Sequence, residues 1–210
     1  MTSRPHTTCH VTISLDGYLA GPNQTFEQPL GRRGEDLHQW MFPPDGQAPH
    51  DGDVAPREHL AKPRGAYVMG RNMFGPVRDS WDTWDGEWRG WWGEEPPYHA
   101  PVFVLTHHEH QPIEMEGGTT FHFVTDGFDA AYARAVEAAG DREILIAGGA
   151  STIQQALAAG VLDELYLDIS PILLGGGERL LDGVGDVGFT PVEVTASPHA
   201  THVRYLVGSD

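Results

Sequence analysis

The sequence lacks the features that would indicate export or membrane insertion. It has a single cysteine, Cys9, which cannot form a disulfide within the chain and fits a reducing compartment. Its longest apolar runs have the length of a strand, so no transmembrane helix is predicted. The first ten residues, MTSRPHTTCH, do not contain the apolar core of a secretory signal. We therefore expect a cytoplasmic protein with no membrane partner.

Basic residues are also scarce. Lysine and arginine together number 13 against 30 aspartates and glutamates, which gives a formal net charge of −17. Such a surface repels nucleic acid at long range, so nucleic acid is not expected as a partner. An anionic small molecule would need a local site made of backbone N–H groups or of a well-placed arginine.

The elements that are present follow an α/β pattern. Strands are predicted at 8–15, 66–69, 101–106, 119–123, 144–147 and 163–173, with a final pair near 187–196 and 199–207. Helices are predicted at 34–42, 128–139 and 150–157. Segment 43–63 is rich in Pro, Asp, Gly and His, which indicates a long loop with at most a short helix around 55–61. The alternation predicts one domain, 1–210, with a mixed sheet.

Two predicted strands run into helices through glycine, in MGRNMF at 69–74 and AGGAST at 147–152. Glycine lets backbone N–H groups approach a ligand closely, and a helix N-terminus favours phosphate. Each junction alone favours a tight turn, because neither has the spacing of a Walker loop or of the GxGxxG fingerprint. Together they favour a dinucleotide. Arg71 could pair with a 2′-phosphate, which favours NADPH.

The stretch Thr106-His107-His108-Glu109-His110 raises the question of a metal site. Neighbouring residues in one loop rarely converge on one ion, and no second ligand cluster stands out in the sequence. We therefore predict a solvated loop and no metal. Thr106 follows a buried strand, so its hydroxyl could reach a ligand.

A tryptophan-rich stretch, SWDTWDGEWRGWWG, lies within a second variable segment, 77–100. Its tryptophans are Trp81, Trp84, Trp88, Trp91 and Trp92. Their spacing suits a helix, but three glycines interrupt it, and exposed tryptophan is unfavourable. A flap on the core, a dimer contact and a lid over a flat substrate are the alternatives.

Asp16-Gly17 follows the first predicted strand. The dipeptide is typical of a tight turn. An acid at the end of a strand can also orient substrate or donate a proton. Both interpretations stay open on the residues alone.

Several stretches in a fixed order resemble the dihydrofolate reductase-like superfamily, and most closely its branch with the reductase domain of riboflavin biosynthesis (the RibD C-terminal domain). These are ISLDGYLAG (13–21), YVMGRNMFGP (67–76), VFVLT (102–106), ILIAGGASTIQQAL (144–157) and DELYLDISPILLGGGERLLDG (163–183). The resemblance covers most of the chain outside 43–63 and 77–100. It implies a three-layer fold with a twisted, mostly parallel mixed sheet flanked by helices.

The resemblance also implies that NADPH lies across the strand ends. Gly70, Arg71 and Asn72 would meet its phosphates, and Thr106 would lie near its adenosine end. The pyrophosphate would be held by Gly148, Gly149, Ala150, Ser151 and Thr152. Ala20 would lie near the nicotinamide.

On the substrate side, the resemblance implies that Asp16 is the acid that faces the substrate, and that the protein forms a homodimer. His38 and Trp40 are expected on the same side, although Trp40 could equally be a core residue. The chain departs from the bifunctional riboflavin enzymes because it has no HxE…PCxxC deaminase pattern and no basic cluster for a ribose phosphate.

The predicted function is an NADPH-dependent reductase that transfers hydride to a C=N or C=O group of a small substrate. Asp16, or a water that it holds, would supply or orient the proton. One alternative is authentic dihydrofolate reductase activity, with Glu35 or Asp36 as the pterin-binding acid. Another is a nucleotide-binding module without catalysis.

Overall fold

The structure is a computed structural model that describes residues 4–43, 47–75, 80–83 and 88–208. Its strands are β1 (Thr7–Ser14), β2 (Tyr18–Ala20), β3 (Ala66–Gly70), β4 (Pro101–Leu105), β5 (Ile113–Glu114), β6 (Thr120–Val124), β7 (Ile144–Gly148), β8 (Glu164–Ser170), β9 (Glu178–Arg179), β10 (Phe189–Ala196) and β11 (Thr201–Val207). Its α-helices are α1 (Asp51–Ala61), α2 (Arg71–Phe74), α3 (Phe128–Ala139) and α4 (Ala150–Ala158). Short 3₁₀ helices occupy Gly34–His38, Trp81–Thr83 and Glu116–Gly118.

The chain divides into two compact units, which are described separately. Unit 1 comprises Met1–Thr8 and Pro63–Val161, and unit 2 comprises Cys9–Lys62 and Leu162–Asp210. The predicted α/β architecture is confirmed, with a mixed, mostly parallel sheet flanked by helices. The assignment of 1–210 to a single domain stays a prediction. No helix in the described part of the chain is both long and apolar enough to span a membrane.

Unit 1 is built on four parallel strands in the order β7-β3-β4-β6, and β5 pairs antiparallel with β6. All five residues of β7, ILIAG, are buried, as expected for a strand covered on both faces. Helices α3 and α4 pack on these strands. The parallel arrangement brings the carboxyl ends of the strands to one edge.

The core of unit 1 is aromatic near α2. Phe74 is 2% exposed and packs edge-to-face against Phe121 and Phe123. Trp81 and Trp88 pack on the same cluster, and Trp88 donates its indole N–H to the Phe74 carbonyl at 2.9 Å. These two tryptophans therefore match the interpretation of a flap on the core. Trp84 lies outside the described residues.

Unit 2 contains the strands β10-β11-β8-β1 in that order, and β8, β11 and β10 are antiparallel neighbours. Its centre is polar. The side chains of His10, Asp168 and His202 are buried and joined by hydrogen bonds. Asp53 of α1, which is 1% exposed, extends this network to the helix. The network fixes α1 to the strands because each buried charge needs a partner.

Three sequence predictions need correction. The predicted loop 43–63 contains the eleven-residue helix α1, whose first turn is capped by His50 Nδ1 accepting from the Gly52 N–H. The short helix considered at 55–61 is the second part of α1, and Pro56 inside the helix obscures its full length in the sequence. The predicted helix 34–42 is instead the 3₁₀ helix Gly34–His38. The strand predicted at 163–173 ends at Ser170. The short strands β2, β5 and β9 were not predicted, since two or three residues are too few to show an alternating apolar pattern.

Candidate functional site

The strand ends of unit 1 bring the predicted cofactor residues together. Gly70 ends β3, Gly148 ends β7, and Thr106 follows β4. The register pairs Met69 with Gly148, and Gly70 with Leu105. The glycine junctions and the threonine therefore lie along one edge, where open parallel sheets bind their ligands.

The backbone of Gly148 has a conformation that favours glycine, and the space beside Gly149 is open. Gly148 has φ +122°, and the Gly148–Gly149 peptide is cis. A Cβ atom built on Gly149 would meet nothing within 4 Å. Helix α4 begins at Ala150, and the first N–H groups of a helix have no acceptor within it. This arrangement fits an anionic group of the size of a phosphate.

Gly70 lies beside Gly148 and Gly149, since a Cβ atom built on it would lie 3.5 Å from the Gly149 nitrogen. A Cβ atom at Gly70 would lie 2.8 Å from Thr152 Oγ1, which is closer than real Cβ contacts. Thr152 is buried, whereas Ser151 is exposed. The two glycine junctions that the sequence singled out are therefore in contact through α4.

Arg71 has a defined position. Its guanidinium carbon lies 3.0 Å from the centroid of the Trp81 ring, and Nη1 lies 3.5 Å from Thr106 Oγ1. Burial lowers the pKa of Arg71 to about 10, so the group is still charged at neutral pH. Asn72, the next residue, has an exposed side chain. The structure thus brings Gly70, Arg71 and Thr106 close together.

In unit 2, Asp16 accepts several hydrogen bonds. Ser14 Oγ donates to Oδ1 at 2.6 Å, the Leu174 N–H donates to Oδ1 at 3.1 Å, and the Gly175 N–H donates to Oδ2 at 2.8 Å. The bond from Ser14 is the main cause that lowers the pKa of Asp16 to about 2. Asp16 is therefore ionised at neutral pH and can orient a proton carrier but not donate a proton itself.

The turn at Asp16-Gly17 is also present. The Gly17 N–H donates to the Ser14 carbonyl at 2.9 Å, and Gly17 has φ +88°. The two interpretations of this dipeptide are therefore compatible. Further along, Ala20 is buried in β2, which pairs with β9. A Cβ atom at Gly177 would overlap the Ala20 carbonyl oxygen, so the absence of a side chain at Gly177 lets the chain before β9 approach β2.

His38 and Trp40 differ in their surroundings. Trp40 is 1% exposed, donates Nε1–H to Thr12 Oγ1 at 3.1 Å and stacks near His10. These are the contacts of a core residue. Nδ1 of His38 is buried and has no hydrogen-bond partner among the described residues. Burial lowers the pKa of His38, so the ring is neutral at pH 7 and can accept a hydrogen bond.

The remaining candidates are placed as follows. Within the described ranges, no group of three or more His, Cys, Asp or Glu is arranged to hold a metal ion. His108 contributes only backbone atoms to the bonds near Thr106, and His110 packs against Trp81. Asp36 pairs with Arg33 at the surface, 3.0 Å away, and Glu35 is exposed.

Sequence reasoning missed the residues that hold the site residues in place. Ser14 supports Asp16, and it could have been found because it lies only two positions earlier in the chain. Leu174 and Gly175 act through their backbone N–H groups, which leave no pattern in the sequence. Trp81 contacts Arg71, but nothing in its segment points to that partner.

Solved structures with the same fold include three that differ in relatedness. A protein from Shewanella sp. PV-4, whose name assigns it to riboflavin biosynthesis, is 26% identical, with a TM-score of 0.63 over 97% of this chain and 99% of that chain. The riboflavin biosynthesis reductase of Saccharomyces cerevisiae is 13% identical, with a TM-score of 0.56 over 98% of this chain and 90% of that chain.

A dihydrofolate reductase from Enterococcus faecalis, solved with NADP(H), is also 13% identical, with a TM-score of 0.52 over 97% of each chain. At such low identity, the last two likenesses establish the fold alone, which is dihydrofolate reductase-like as predicted. No curated protein sequence matches the chain significantly. The profile of the RibD C-terminal domain matches residues 5–203, so the chain belongs to the RibD C-terminal domain family.

Proposed function

We propose that the protein is an NADPH-dependent reductase that transfers hydride to a C=N or C=O carbon of a small substrate. The observation that carries this proposal is the convergence of Gly70, Arg71, Thr106 and Gly148 at the carboxyl ends of parallel strands. Membership of a family named for the riboflavin reductase supports the same reaction type. The solved dihydrofolate reductase with the same fold holds NADP(H).

Each predicted cofactor residue has a proposed role that fits its surroundings. The charged guanidinium of Arg71 binds the 2′-phosphate. The open space at Gly149 and the N-terminus of α4, with Ala150, Ser151 and Thr152, receive the pyrophosphate. Asn72 and Thr106 complete the phosphate and adenosine contacts, and the resemblance assigns Ala20 to the nicotinamide.

When bound, NADPH supplies the hydride from its nicotinamide ring. The chain contributes the alignment of the substrate and the control of the proton. Asp16 is ionised and fixed by three donors, so we assign it the role of orienting the substrate or the water that delivers the proton. We assign His38 a contact with the substrate through its buried Nδ1, which has no hydrogen-bond partner among the described residues. Trp40 is buried and acts by supporting its neighbours.

We also propose a homodimer in the cytoplasm. Strand β10 lies at the edge of its sheet, and its Val192 and Val194 side chains are exposed, as is Leu206 of β11. Exposed apolar side chains on an edge strand favour pairing with another chain. Light scattering of the purified protein measures the mass directly, and a monomeric mass at micromolar concentration would contradict the dimer.

The function is tested in two stages. First, NADPH is titrated into the protein while nicotinamide fluorescence and the melting temperature are recorded. Saturable binding is expected, and the absence of both signals would refute the cofactor assignment. Second, NADPH oxidation is followed against aldehydes, imines, pterins and pyrimidine ribosylamines, with protein-free blanks. Binding without turnover of any acceptor class would favour a nucleotide-binding module over an enzyme.

A further inference from the structure

A closed ring of contacts in unit 1 includes the guanidinium of Arg71. Its four members are Arg71, Thr106, His108 and Trp81. Arg71 Nη1 lies 3.5 Å from Thr106 Oγ1, and that hydroxyl lies 3.4 Å from the His108 carbonyl. The same carbonyl accepts the indole N–H of Trp81 at 3.1 Å. The ring closes where the Trp81 face lies under the guanidinium. Arg71 is thus held both at its edge and on its face.

Trp81 is itself fixed by its neighbours. Its ring packs edge-to-face against Phe74 and Phe123, at centroid distances of 6.0 Å and 4.9 Å, and lies 4.7 Å from the ring of His110. Phe74 belongs to α2, which begins with Arg71. A rigid aromatic plane therefore lies beneath a side chain that otherwise has several rotatable bonds.

The contacts with Trp81 and Thr106 leave the charge of Arg71 in place, because neither side chain is ionised. Stacking uses the face of the guanidinium and keeps its N–H groups in the plane, directed outward. A phosphate is recognised by those in-plane N–H groups, often two at a time. An arginine that is oriented before the ligand arrives loses less conformational entropy on binding.

We propose that Trp81 is a positioning residue that orients Arg71 toward a 2′-phosphate and so sets the preference of this protein for NADPH over NADH. The inference rests on the proposed function, since it assumes that the cofactor binds at the strand ends of unit 1. Trp81 does not touch the cofactor in this account. It acts through Arg71.

The test compares Trp81→Leu, which removes both the stacking and the indole N–H, with Trp81→Phe, which keeps an aromatic face. Trp92→Leu is the matched control, because Trp92 is 56% exposed and belongs to the same segment. Dissociation constants are measured by calorimetry for NADPH, NADH, 2′,5′-ADP and 5′-AMP. The last two probes report the adenosine half alone and need no catalysis.

For Trp81→Leu we expect the dissociation constants of NADPH and 2′,5′-ADP to rise about tenfold, the scale of one cation–π contact. Those of NADH and 5′-AMP should change by less than about twofold. Trp81→Phe should fall between wild type and Trp81→Leu, and Trp92→Leu should match wild type. If Trp81→Leu does not fold, Trp81→Phe against wild type decides the question.

Equal weakening of phosphorylated and unphosphorylated probes would overturn the inference, because it would show a purely structural role for Trp81. An unchanged NADPH-to-NADH ratio in both Trp81 variants would overturn it as well. Arg71→Ala distinguishes a failure of the 2′-phosphate assignment from a failure of the cofactor assignment. If that variant keeps the wild-type ratio while NADPH still binds, the 2′-phosphate assignment and this inference fail but the cofactor assignment stands. If wild-type protein binds no NADPH, the proposed function itself fails.

Discussion

His202 donates Nδ1–H to Asp168 Oδ1 at 2.6 Å and Nε2–H to Asp53 Oδ1 at 2.9 Å. Carboxylate oxygens only accept hydrogen bonds, so both ring nitrogens carry protons when the two carboxyls are ionised. His202 is then a buried imidazolium between two carboxylates. His10 donates to the other oxygen of Asp168 at 2.9 Å and meets His59 through its second nitrogen. The network connects β1, β8, β11 and α1.

The network predicts a pH dependence of stability. Burial alone would lower the pKa of His202, but its bonds to Asp168 and Asp53 outweigh burial and raise it above 6.5. Its contribution is therefore complete below pH 6.5 and is lost as pH rises through the folded-state value. Burial opposes ionisation of Asp168 too, but the bonds from His10 and His202 lower its pKa below 3.8. Its contribution is present above pH 3.8 and is lost in acid.

We therefore expect the melting temperature to be highest between pH 4 and pH 6.5, the interval that these two groups define. In His202→Gln, the melting temperature should change less with pH above pH 6.5, since glutamine does not titrate. The measurement is thermal unfolding in buffers from acid to alkaline pH. An alkaline limb of the wild-type profile that survives unchanged in His202→Gln would show that the titrating group is not His202.

Substitution of Asp168 tests the same network at fixed pH. Asp168→Asn removes one of the two negative charges beside His202. It also places an amide N–H₂ group where it faces the donating rings of His10 and His202. Loss of one partner from a buried ion pair typically destabilises by about 3 kcal/mol. The readout is the free energy of unfolding from urea denaturation at pH 6. Asp186→Asn, at an exposed aspartate, is the control and should be neutral within about 0.5 kcal/mol.

Asp16→Asn tests the substrate side. The substituted amide cannot accept from Ser14, Leu174 and Gly175 at once, so the orientation of residue 16 is lost while the strand ends of unit 1 are untouched. Turnover should fall about a hundredfold, the lower range for positioned proton-handling groups. NADPH affinity should stay within about twofold of wild type. A parallel loss of affinity would place Asp16 in cofactor binding instead.

A second prediction, which can be tested separately from the loss of turnover, follows from the pKa of Asp16. Because that pKa is about 2, ionisation of Asp16 is complete long before neutral pH. If the proposed activity is present, the rate profile of the wild-type protein between pH 5 and pH 8 should contain no titration that disappears in Asp16→Asn. A titration that does disappear would show that substrate or cofactor raises the pKa of Asp16 and would restore it as a proton donor.

Local sequence patterns predicted the two strand-to-helix junctions of unit 1 but gave no indication of the polar core of unit 2. The junctions at Gly70 and Gly148 combine an apolar strand, glycine and a helix within a few residues, so each can be recognised without its partner. The bond between His10 and Asp168 joins residues 158 positions apart. A single sequence contains no signal for such a pairing. Only the part of helix α1 around 55–61 was considered from the sequence, and the bond between its Asp53 and His202 is likewise a long-range contact without a local signal.

Gly70→Ala tests the contact between the two glycine junctions. Gly70 has φ −82° and ψ 160°, which alanine adopts freely, so any effect comes from the Cβ atom that would lie 2.8 Å from Thr152 Oγ1. We expect a loss of about 1–3 kcal/mol in unfolding free energy, the range for overpacking. Thr152→Ala removes the clashing oxygen, so the double variant should be more stable than the sum of the single effects by about 1 kcal/mol or more.

A second double-mutant cycle, which combines Gly148→Ala with Thr152→Ala, is the control for the first. Gly148 has φ +122°, so alanine there is strained by the backbone itself, and its built Cβ lies near Met73 rather than Thr152. Thr152→Ala should therefore not rescue Gly148→Ala. Urea denaturation of the two cycles gives both coupling energies, and NADPH titration of the folded variants gives the effect on binding. Rescue at both glycines would mean that Thr152→Ala relaxes the whole junction, and rescue at neither would mean that Thr152 can rotate away from residue 70.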